Sequence, residues 1–355
     1  MKLEEKIGQL LVVGLPGRKI TEGDRRLIEE VRPGGFILFE RNAKSPAQLR
    51  ELCQHLRVLV RPQNPFILID HEGGRVSRLS KPFSRFPPQA LFGKTGDTVL
   101  TEASFFASAL ELSAIGVNMH LSPVLDVWTN PKNRVIGDRA FGRDPHEAAE
   151  LGTAAVRGIL RAGLLPVGKH FPGHGGTTGD SHVELPRSRV ARRTILNREL
   201  IPFRAALKVG LPALMTAHVV FPALDPGHPS SLSKKIVTGL LRKKMGFRGL
   251  VLTDDLQMGA IAQHHSLPEA ALLALEAGTD LLLVCHGKKG PREVAKGLRA
   301  AFQEGRLPMS RLQETLARIR RAKVKPQRAR PLSLIGCEKH QRLIEEVSRR
   351  AKKKM

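Results

Sequence analysis

Residues 169–186, KHFPGHGGTTGDSHVELP, combine a lysine, three histidines and an aspartate with a set of glycines. Three kinds of site could use such residues: a metal site, a phosphate-binding loop or an acid–base centre. A zinc site would take His170, His174 and His182, but the Phe-Pro-Gly between the first two prevents them from sharing one helix face. The phosphate-binding pattern GxxxxGK[ST] does not occur in the stretch. The stretch therefore favours acid–base chemistry, with a metal site as the weaker alternative.

Asp180 stands two residues before His182 in this glycine-rich segment. An aspartate that accepts a hydrogen bond from one ring nitrogen fixes the imidazole tautomer and stabilises its charged form. The other ring nitrogen is then able to act as an acid and afterwards as a base. In VLTDDLQMGAI (251–261), Asp254 is the first residue after an apolar run and could supply an ionised carboxylate as nucleophile. Asp255 could instead cap the helix that follows.

Two other segments carry side chains suited to a polar ligand. In IDHEGGRVSRL (69–79), Asp70 follows an apolar run and a Gly-Gly turn separates it from Arg78. A carboxylate beside a guanidinium can hold two vicinal hydroxyls, although a structural turn with a salt bridge explains the segment equally well. NPKNRVIGDRAFG (130–142) is typical of a loop, from which Arg139 could point either into the same pocket or into solvent.

Eight short apolar runs alternate with segments of helical periodicity, which predicts a parallel sheet covered by helices. The runs are LLVVGL (10–15), GFILF (35–39), FILID (66–70), GVNMHLS (116–122), LPVGKH (165–170), LPALMTAH (211–218), GLVLTD (249–254) and DLLLVC (280–285). Eight strands favour an α/β fold with a closed (β/α)8 TIM-like barrel in a single domain over an open doubly wound sheet. Thr21, Ser45 and Asp144 are the predicted N-caps of three helices.

The predicted barrel explains why polar residues end several apolar runs. In a (β/α)8 barrel the carboxyl ends of all strands meet at one rim, and catalytic groups lie there. Asp70, Lys169, His170, Met215 and Asp254 all stand at or near the ends of their runs. We therefore expect these side chains to surround one pocket.

The composition indicates a soluble globular protein, with 41% hydrophobic and 26% charged residues and no apolar run long enough to cross a membrane. The N-terminus does not resemble a signal peptide, because Glu4 and Glu5 stand where a basic region is expected. The cysteines are odd in number and scattered, at Cys53, Cys285 and Cys337. This pattern speaks against a disulfide framework and predicts a reducing, cytoplasmic location.

The formal net charge is +25, and residues 318–355 contain 14 Lys and Arg against 3 Glu. We expect a barrel domain over residues 1–322 and a basic tail over residues 323–355. The excess charge indicates either a solvated basic surface or attraction to a polyanion. The chain has no Tyr and one Trp, so it offers few side chains for base stacking, which speaks against a nucleic-acid partner.

Seven segments in this order resemble glycoside hydrolase family 3, and most closely its single-domain bacterial β-N-acetylglucosaminidases. They are PGGFILFERN (33–42), IDHEGGRVSRL, LSPVLDV (121–127), NRVIGDRAFG, KHFPGHGG with DSH, MTAHVVFP (215–222) and TDDLQMGAI. The resemblance implies that Asp254 is the nucleophile, His182 the general acid/base and Asp180 its orienting partner. It further implies a binding site for the terminal N-acetylglucosamine made by Asp70, Arg78, Arg139, Lys169 and His170, with His174 and Met215 lining or shaping the pocket.

The resemblance implies retaining hydrolysis of β-N-acetylglucosaminides without metal or cofactor, and a cytoplasmic role in peptidoglycan recycling with muropeptides as substrates. Relatives with other sugar preferences usually take a carboxylate acid/base from an additional C-terminal domain, so the Asp-Ser-His segment favours the hexosaminidase branch. After His182 has donated its proton it is neutral and repels an anion less than a carboxylate would, so inorganic phosphate could compete with water as acceptor. The alternatives are another family 3 β-glycosidase, a metal-dependent barrel hydrolase and a basic polyanion-binding protein.

Overall fold

The computed structural model describes residues 1–181, 184–323 and 330–353. Eight parallel strands form a closed barrel, in which each strand pairs with the next along the chain and the last pairs with the first. The strands are β1 (Leu11–Gly14), β2 (Gly35–Leu38), β3 (Phe66–Ile69), β4 (Met119–His120), β5 (Leu165–Phe171), β6 (Ala213–Thr216), β7 (Leu250–Asp255) and β8 (Leu281–Val284). The predicted (β/α)8 barrel is confirmed, and the open doubly wound sheet is excluded.

Helices surround the barrel. They are α1 (Leu3–Gly8), α2 (Glu22–Val31), α3 (Pro46–Leu59), α4 (Gln89–Thr95), α5 (Thr98–Ala114), α6 (Pro145–Arg161), α7 (Arg192–Thr194), α8 (Leu200–Lys208), α9 (Gly259–Ala262), α10 (Leu267–Ala277), α11 (Lys289–Gln303), α12 (Met309–Ala322) and α13 (Glu338–Lys353), with π-helical segments Ile195–Glu199 and Lys235–Lys244. The three predicted N-caps are confirmed, because the side chains of Thr21, Ser45 and Asp144 each accept a backbone N–H from the first turn of their helix.

The strands are apolar because both of their faces are covered. Every residue of β2 and β3 is buried, as is every residue of β8. Burying one Leu, Ile or Phe side chain contributes about 1.5–3 kcal/mol. The continuous apolar runs thus reflect a strand with the barrel interior on one side and the helical layer on the other.

β4 is shorter than the apolar run at residues 116–122 that predicted it. Pro123 follows immediately and has no N–H to donate to the ladder. The pairing with β5 continues through the backbone of Ser122 and through an isolated bridge between Val124 and Lys169. β4 therefore still positions the loop that begins at Pro123.

Two short hairpins extend from strand ends at the barrel mouth. The first pairs His71–Gly73 with Val76–Ser77 directly after β3, and the second pairs Val220–Phe221 with Asp225–Pro229 after β6. The turn of the first hairpin requires Gly73 and Gly74, which have φ angles of 102° and 55°. The Gly-Gly turn was predicted from the sequence, and it returns the chain to the rim.

The segment predicted to be a basic tail contains helix α13, which packs against α4 and α5. His340 of this helix is buried, and its Nδ1 lies 2.7 Å from Oε1 of the buried Glu111. The same carboxylate accepts hydrogen bonds from the backbone N–H groups of Ser84 and Gly336. The described part of this segment is therefore attached to the barrel, and the domain boundary at residue 322 stays a prediction.

Candidate active site

A buried lysine lies between two carboxylates at the barrel mouth. Lys169 of β5 places its Nζ 2.6 Å from Oδ1 of Asp70 and 2.6 Å from Oε1 of Glu72. Burial acts to lower the pKa of Lys169, but Asp70 and Glu72 outweigh it and raise that pKa above its ordinary value. The ammonium is thus held charged. The Asp70 side chain keeps 19% of its surface exposed, so this pair can offer a donor and an acceptor to hydroxyl groups in the mouth.

Arg139 reaches the same cluster from a loop. It lies in the 3₁₀ turn Gly137–Arg139 and forms a bidentate pair with Glu72, with N···O distances of 2.8 and 2.7 Å. Burial acts to raise the pKa of Glu72, but Arg139 and Lys169 hold it well below its ordinary value. Of the two orientations left open by the sequence, Arg139 has the inward one.

His170 is oriented by a carboxylate from the loop after β4. Its Nδ1 lies 2.7 Å from Oδ2 of Asp126, and Oδ1 of the same carboxylate accepts the backbone N–H of His174 at 2.7 Å. The other ring nitrogen, Nε2, lies 3.4 Å from a guanidinium nitrogen of Arg139. Asp126 therefore fixes both the ring of His170 and the start of the loop that follows.

Asp254 and Asp255 at the end of β7 have different environments. Oδ1 of Asp255 accepts backbone N–H groups from Gln257 and Cys285, whereas Oδ1 of Asp254 accepts one N–H, that of Asp255. Asp255 does not cap a helix as predicted, because α9 begins only at Gly259 and the bonds of Asp255 close a turn. Asp254 is thus the carboxylate left available for chemistry.

The charge of Asp254 is stabilised by its surroundings. Burial acts to raise its pKa, but His218, His170, the N–H of Asp255 and Lys169 outweigh burial and hold that pKa below its ordinary value. His218 follows β6, and its Nε2 donates to the carbonyl oxygen of Asp255 at 3.0 Å. The carboxylate is therefore ionised near neutral pH, as a nucleophile requires.

The glycine-rich loop begins inside this cluster. His174 is buried, with Nδ1 2.8 Å from the hydroxyl of Thr177 and Nε2 3.3 Å from that of Ser181, so its ring braces the loop. The carbonyl of Ser181 accepts the N–H of Ala260, in the segment that follows Asp254. Asp180 is half-buried, and the predicted acid/base His182 lies outside the described residues.

Arg78 and Met215 complete the predicted set. Arg78 is half-buried, its guanidinium carbon lies 5.9 Å from the ring centre of Phe39, and its buried Nε has no hydrogen-bond partner within the described part of the chain. Met215 of β6 is buried in the core. The structure thus brings Asp70 into contact with Lys169 and Arg139 into contact with His170, and Glu72 links the two pairs. It places His174 at the base of the loop and Met215 in the core.

Two residues of this cluster were missed from the sequence: Glu72 and Asp126. Glu72 stands two residues after Asp70, and Asp126 stands in the segment LSPVLDV. Glu72 bonds Arg139 across 67 positions and Asp126 bonds His170 across 44. The sequence shows only that each of these carboxylates lies near the end of a predicted strand. No local pattern indicates which distant side chain it contacts.

Ionised carboxylates at a barrel mouth, among side chains that bind hydroxyls, are typical of enzymes that cleave glycosides. The fold and the site define this class for the chain. Across the three described ranges, no group of three or more His, Cys, Asp or Glu side chains is arranged to hold a metal ion. No helix in the same ranges is long and apolar enough to cross a membrane.

The Glycosyl hydrolase family 3 N terminal domain matches residues 2–322. The chain belongs to this family and is a glycoside hydrolase. The β-hexosaminidase of Nitrosomonas eutropha is 38% identical over 315 residues, which are 86% of this chain and 90% of the relative. The β-hexosaminidase of Alkalilimnicola ehrlichii is 41% identical over 282 residues, which are 78% of this chain and 80% of the relative.

Two solved structures extend the comparison. The family 3 β-N-acetylglucosaminidase of a Paenibacillus species superposes with a TM-score of 0.94 at 37% identity, covering 99% of this chain and 69% of the other. NagZ of Neisseria gonorrhoeae, solved in complex with N-trifluoroacetyl-D-glucosamine, superposes with a TM-score of 0.83 at 30% identity, covering 96% of this chain and 98% of the other.

Proposed function

We propose that this enzyme is a retaining β-N-acetylglucosaminidase that removes non-reducing terminal N-acetylglucosamine. The observation that carries the proposal is the ionised carboxylate of Asp254, beside the Lys169–Asp70 pair at the barrel mouth. Relatives matched along most of their length are named β-hexosaminidases, which supports the sugar class.

In the proposed reaction Asp254 attacks the anomeric carbon through an oxocarbenium-like transition state while His182 protonates the leaving oxygen. A covalent glycosyl-enzyme results. His182, now neutral, removes a proton from water, and the resulting hydroxide attacks the anomeric carbon and releases the sugar with retained configuration. Asp180 orients His182 and stabilises its charged form.

The contacts of Ser181 support this assignment. Its carbonyl is bonded to Ala260 and its hydroxyl lies 3.3 Å from the ring of His174, so the residue before His182 is attached to the loop that follows Asp254. The 2-acetamido group of the substrate would serve for recognition and not as the nucleophile, because Asp254 has that role. Asp70, Lys169, Arg78, His170 and Arg139 would hold the sugar.

We further propose that the natural substrates are muropeptides and that the enzyme acts in cytoplasmic peptidoglycan recycling. This part rests on the family resemblance of the sequence. Incubation with purified muropeptides should release free N-acetylglucosamine, and a failure with muropeptides but not with simple β-N-acetylglucosaminides would restrict the proposal to the latter. In phosphate buffer, formation of some sugar 1-phosphate would support phosphate as a competing acceptor, and its absence would remove that extension.

The test of the sugar class is hydrolysis of chromogenic β-N-acetylglucosaminide, β-glucoside and β-xyloside with and without EDTA. We expect turnover of the first substrate only, unchanged by the chelator. Preference for a glucoside or xyloside would assign another family 3 β-glycosidase, and loss of activity in EDTA would favour a metal-dependent hydrolase.

A further inference from the structure

A large basic depression lies on the outside of the barrel and extends from the hairpin after β6 to the amino ends of β7 and β8. It has a volume of about 1640 Å³ and is lined by nine lysines and arginines against three carboxylates. Its lining includes residues directly before β7 and β8, at Gly246–Arg248 and Ala277–Gly278. These are the amino ends of the strands, and the other end of the depression is formed by Asp225–His228 of the hairpin after β6. Its lining does not include Asp70, Lys169 or Asp254, so the depression is separate from the carboxylate cluster of the active site.

A second depression continues the first and has the same sign of charge. The two share Gly246, Phe247 and Arg248, and the second adds Arg204, Lys208 and Lys244 with no carboxylate in its lining. Together they form a continuous surface, the basic groove, with twelve cationic side chains against three carboxylates. Such a concentration of one sign raises the local concentration of anions.

The floor of the basic groove carries charge that the protein does not neutralise. Arg242, Arg311 and Arg318 surround the single buried carboxylate of Asp280, at N···O distances of 2.6, 3.7 and 3.0 Å. Burial lowers the pKa values of Arg242 and Arg311, and the guanidinium of Arg318 lowers them further against the opposing effect of Asp280. Glu314 also pairs with Arg318, at 3.3 Å, so three guanidiniums face two carboxylates and leave one excess positive charge at the floor.

The rim of the groove supplies exposed cations. Lys234, Lys243, Arg248 and Arg321 are exposed, and none has a carboxylate within 4 Å in the part of the chain that the structure describes. By contrast, Lys235 lies 3.6 Å from Asp225. The unpaired side chains are long enough to follow an anionic chain laid along the groove.

The shape and composition of the groove restrict the class of polyanion. Of the rings in its described lining, Phe247 is buried and only the imidazole of His228 is exposed, so bases would find little surface for stacking. Arg242, Arg311 and Arg318 lie at the floor of a concavity, where a flexible chain makes closer contact than a convex, rigid duplex. A flexible linear polymer of phosphates, with no bases, satisfies both conditions.

We propose that the basic groove is a binding site for a linear polyphosphate or polyphosphodiester chain, distinct from the glycosidase site. Binding is electrostatic and runs through successive phosphates, so it weakens steeply with salt. The site leaves the barrel mouth open, and the enzyme can turn over its substrate while attached to such a polymer.

The test compares two triple variants with the same change in net charge. Lys234→Glu, Lys243→Glu and Arg248→Glu alter the groove, whereas Lys296→Glu, Lys339→Glu and Lys352→Glu alter exposed residues elsewhere. Binding of fluorescent inorganic polyphosphate is measured by anisotropy at several salt concentrations. We expect the groove variant to lose at least about tenfold in affinity and to lower the slope of log K against log salt by about 2, whereas the control binds like wild type.

Equal binding by the two variants would overturn the proposal, as would equal or tighter binding of single-stranded or duplex DNA of matched charge. Turnover of a chromogenic glycoside verifies that both variants are folded. As an independent readout, inorganic tripolyphosphate should raise the thermal midpoint of the wild type by binding the folded state, and should raise that of the groove variant less. The same shift in both proteins would also contradict the site.

Discussion

At the residue scale, the neighbouring carboxylates of Asp254 and Asp255 have different roles. Asp255 accepts two backbone N–H groups in a turn, which an asparagine oxygen can also accept, whereas Asp254 is held ionised in the mouth. We predict that Asp254→Asn lowers kcat by at least about 10³-fold, because an amide cannot act as nucleophile. Asp255→Asn should retain most turnover and lose about 1 kcal/mol of stability. Equal losses of kcat in the two variants would contradict the assignment.

Buried histidines at the mouth link stability to pH. Burial, the largest cause in each case, lowers the pKa to about 3 for His71 and to about 4 for His120 and His174, from an ordinary value of 6.5. The unfolded chain therefore binds more protons than the folded chain between about pH 4 and 6.5. The free energy of unfolding must fall as the pH falls through this window.

The matching experiment is urea unfolding across that window for His120→Gln and for the exposed control His55→Gln. One titrating histidine contributes about 1.4 kcal/mol per pH unit to the slope. We expect His120→Gln to reduce the slope by about this amount and His55→Gln to leave it unchanged. A wild-type slope in His120→Gln would show that this ring does not titrate as described.

Some residues of the site could be predicted from the sequence and others could not. Asp70, Lys169 and Asp254 were predictable because they interrupt apolar runs at strand ends, and strand ends of a barrel converge. The inward orientation of Arg139 was not predictable, because it depends on Glu72, which lies 67 positions away. The role of His182 stays a prediction.

At the element scale, the loop after β5 is positioned by close backbone packing. A Cβ added to Gly175 would lie 1.9 Å from the carbonyl oxygen of Val127, whereas one added to Gly176 would meet the Thr129 hydroxyl at 3.0 Å. Gly175→Ala must therefore displace the loop that carries Asp180 and His182. A displacement of about 1 Å can cost on the order of 10²-fold in rate.

We predict a loss of that size in kcat for Gly175→Ala and a much smaller loss for Gly176→Ala, because a side-chain hydroxyl can rotate away. Circular dichroism and the thermal midpoint of each variant separate a misplaced loop from a loss of fold. Similar kcat values for both variants would mean that this contact does not position the loop.

Helix α13 packs against α4 and α5, and one buried pair links it to the barrel. His340 donates to Glu111, which also accepts from two backbone N–H groups and the Ser84 hydroxyl. We predict that His340→Ala lowers the free energy of unfolding by about 1–3 kcal/mol, since it leaves a buried carboxylate one donor short. Lys339→Ala, on the exposed face of the same helix, should stay within about 0.5 kcal/mol. Urea unfolding that fails to distinguish the two would show that α13 does not depend on this pair.

Strands and helix ends were predictable where a few neighbouring residues determine them. All eight strands follow from apolar runs, and the caps at Thr21, Ser45 and Asp144 from single side chains before a periodic segment. The docking of α13 was not predictable, because an amphipathic helix shows that it has a buried face but does not show which surface covers that face. The length of β4 was overestimated, because the apolar run at residues 116–122 extends beyond Met119–His120 at both ends.

At the scale of the whole molecule, the barrel separates two surfaces of different charge. The mouth concentrates buried carboxylates paired with fixed cations, as in Asp70–Lys169 and Glu72–Arg139. The outside of the barrel carries the basic groove, in which lysines and arginines outnumber carboxylates. The sequence showed the excess charge and placed part of it in the C-terminal segment. It could not show that cations from several helices and loops would meet in one groove.

The most direct test of the catalytic account is to trap the glycosyl-enzyme with a slow 5-fluoro N-acetylglucosaminyl fluoride and to map the labelled peptide by mass spectrometry. The account predicts one sugar, on Asp254, because that carboxylate is ionised at the mouth and free of the turn that occupies Asp255. A sugar attached to Asp255 or to any other residue would contradict it.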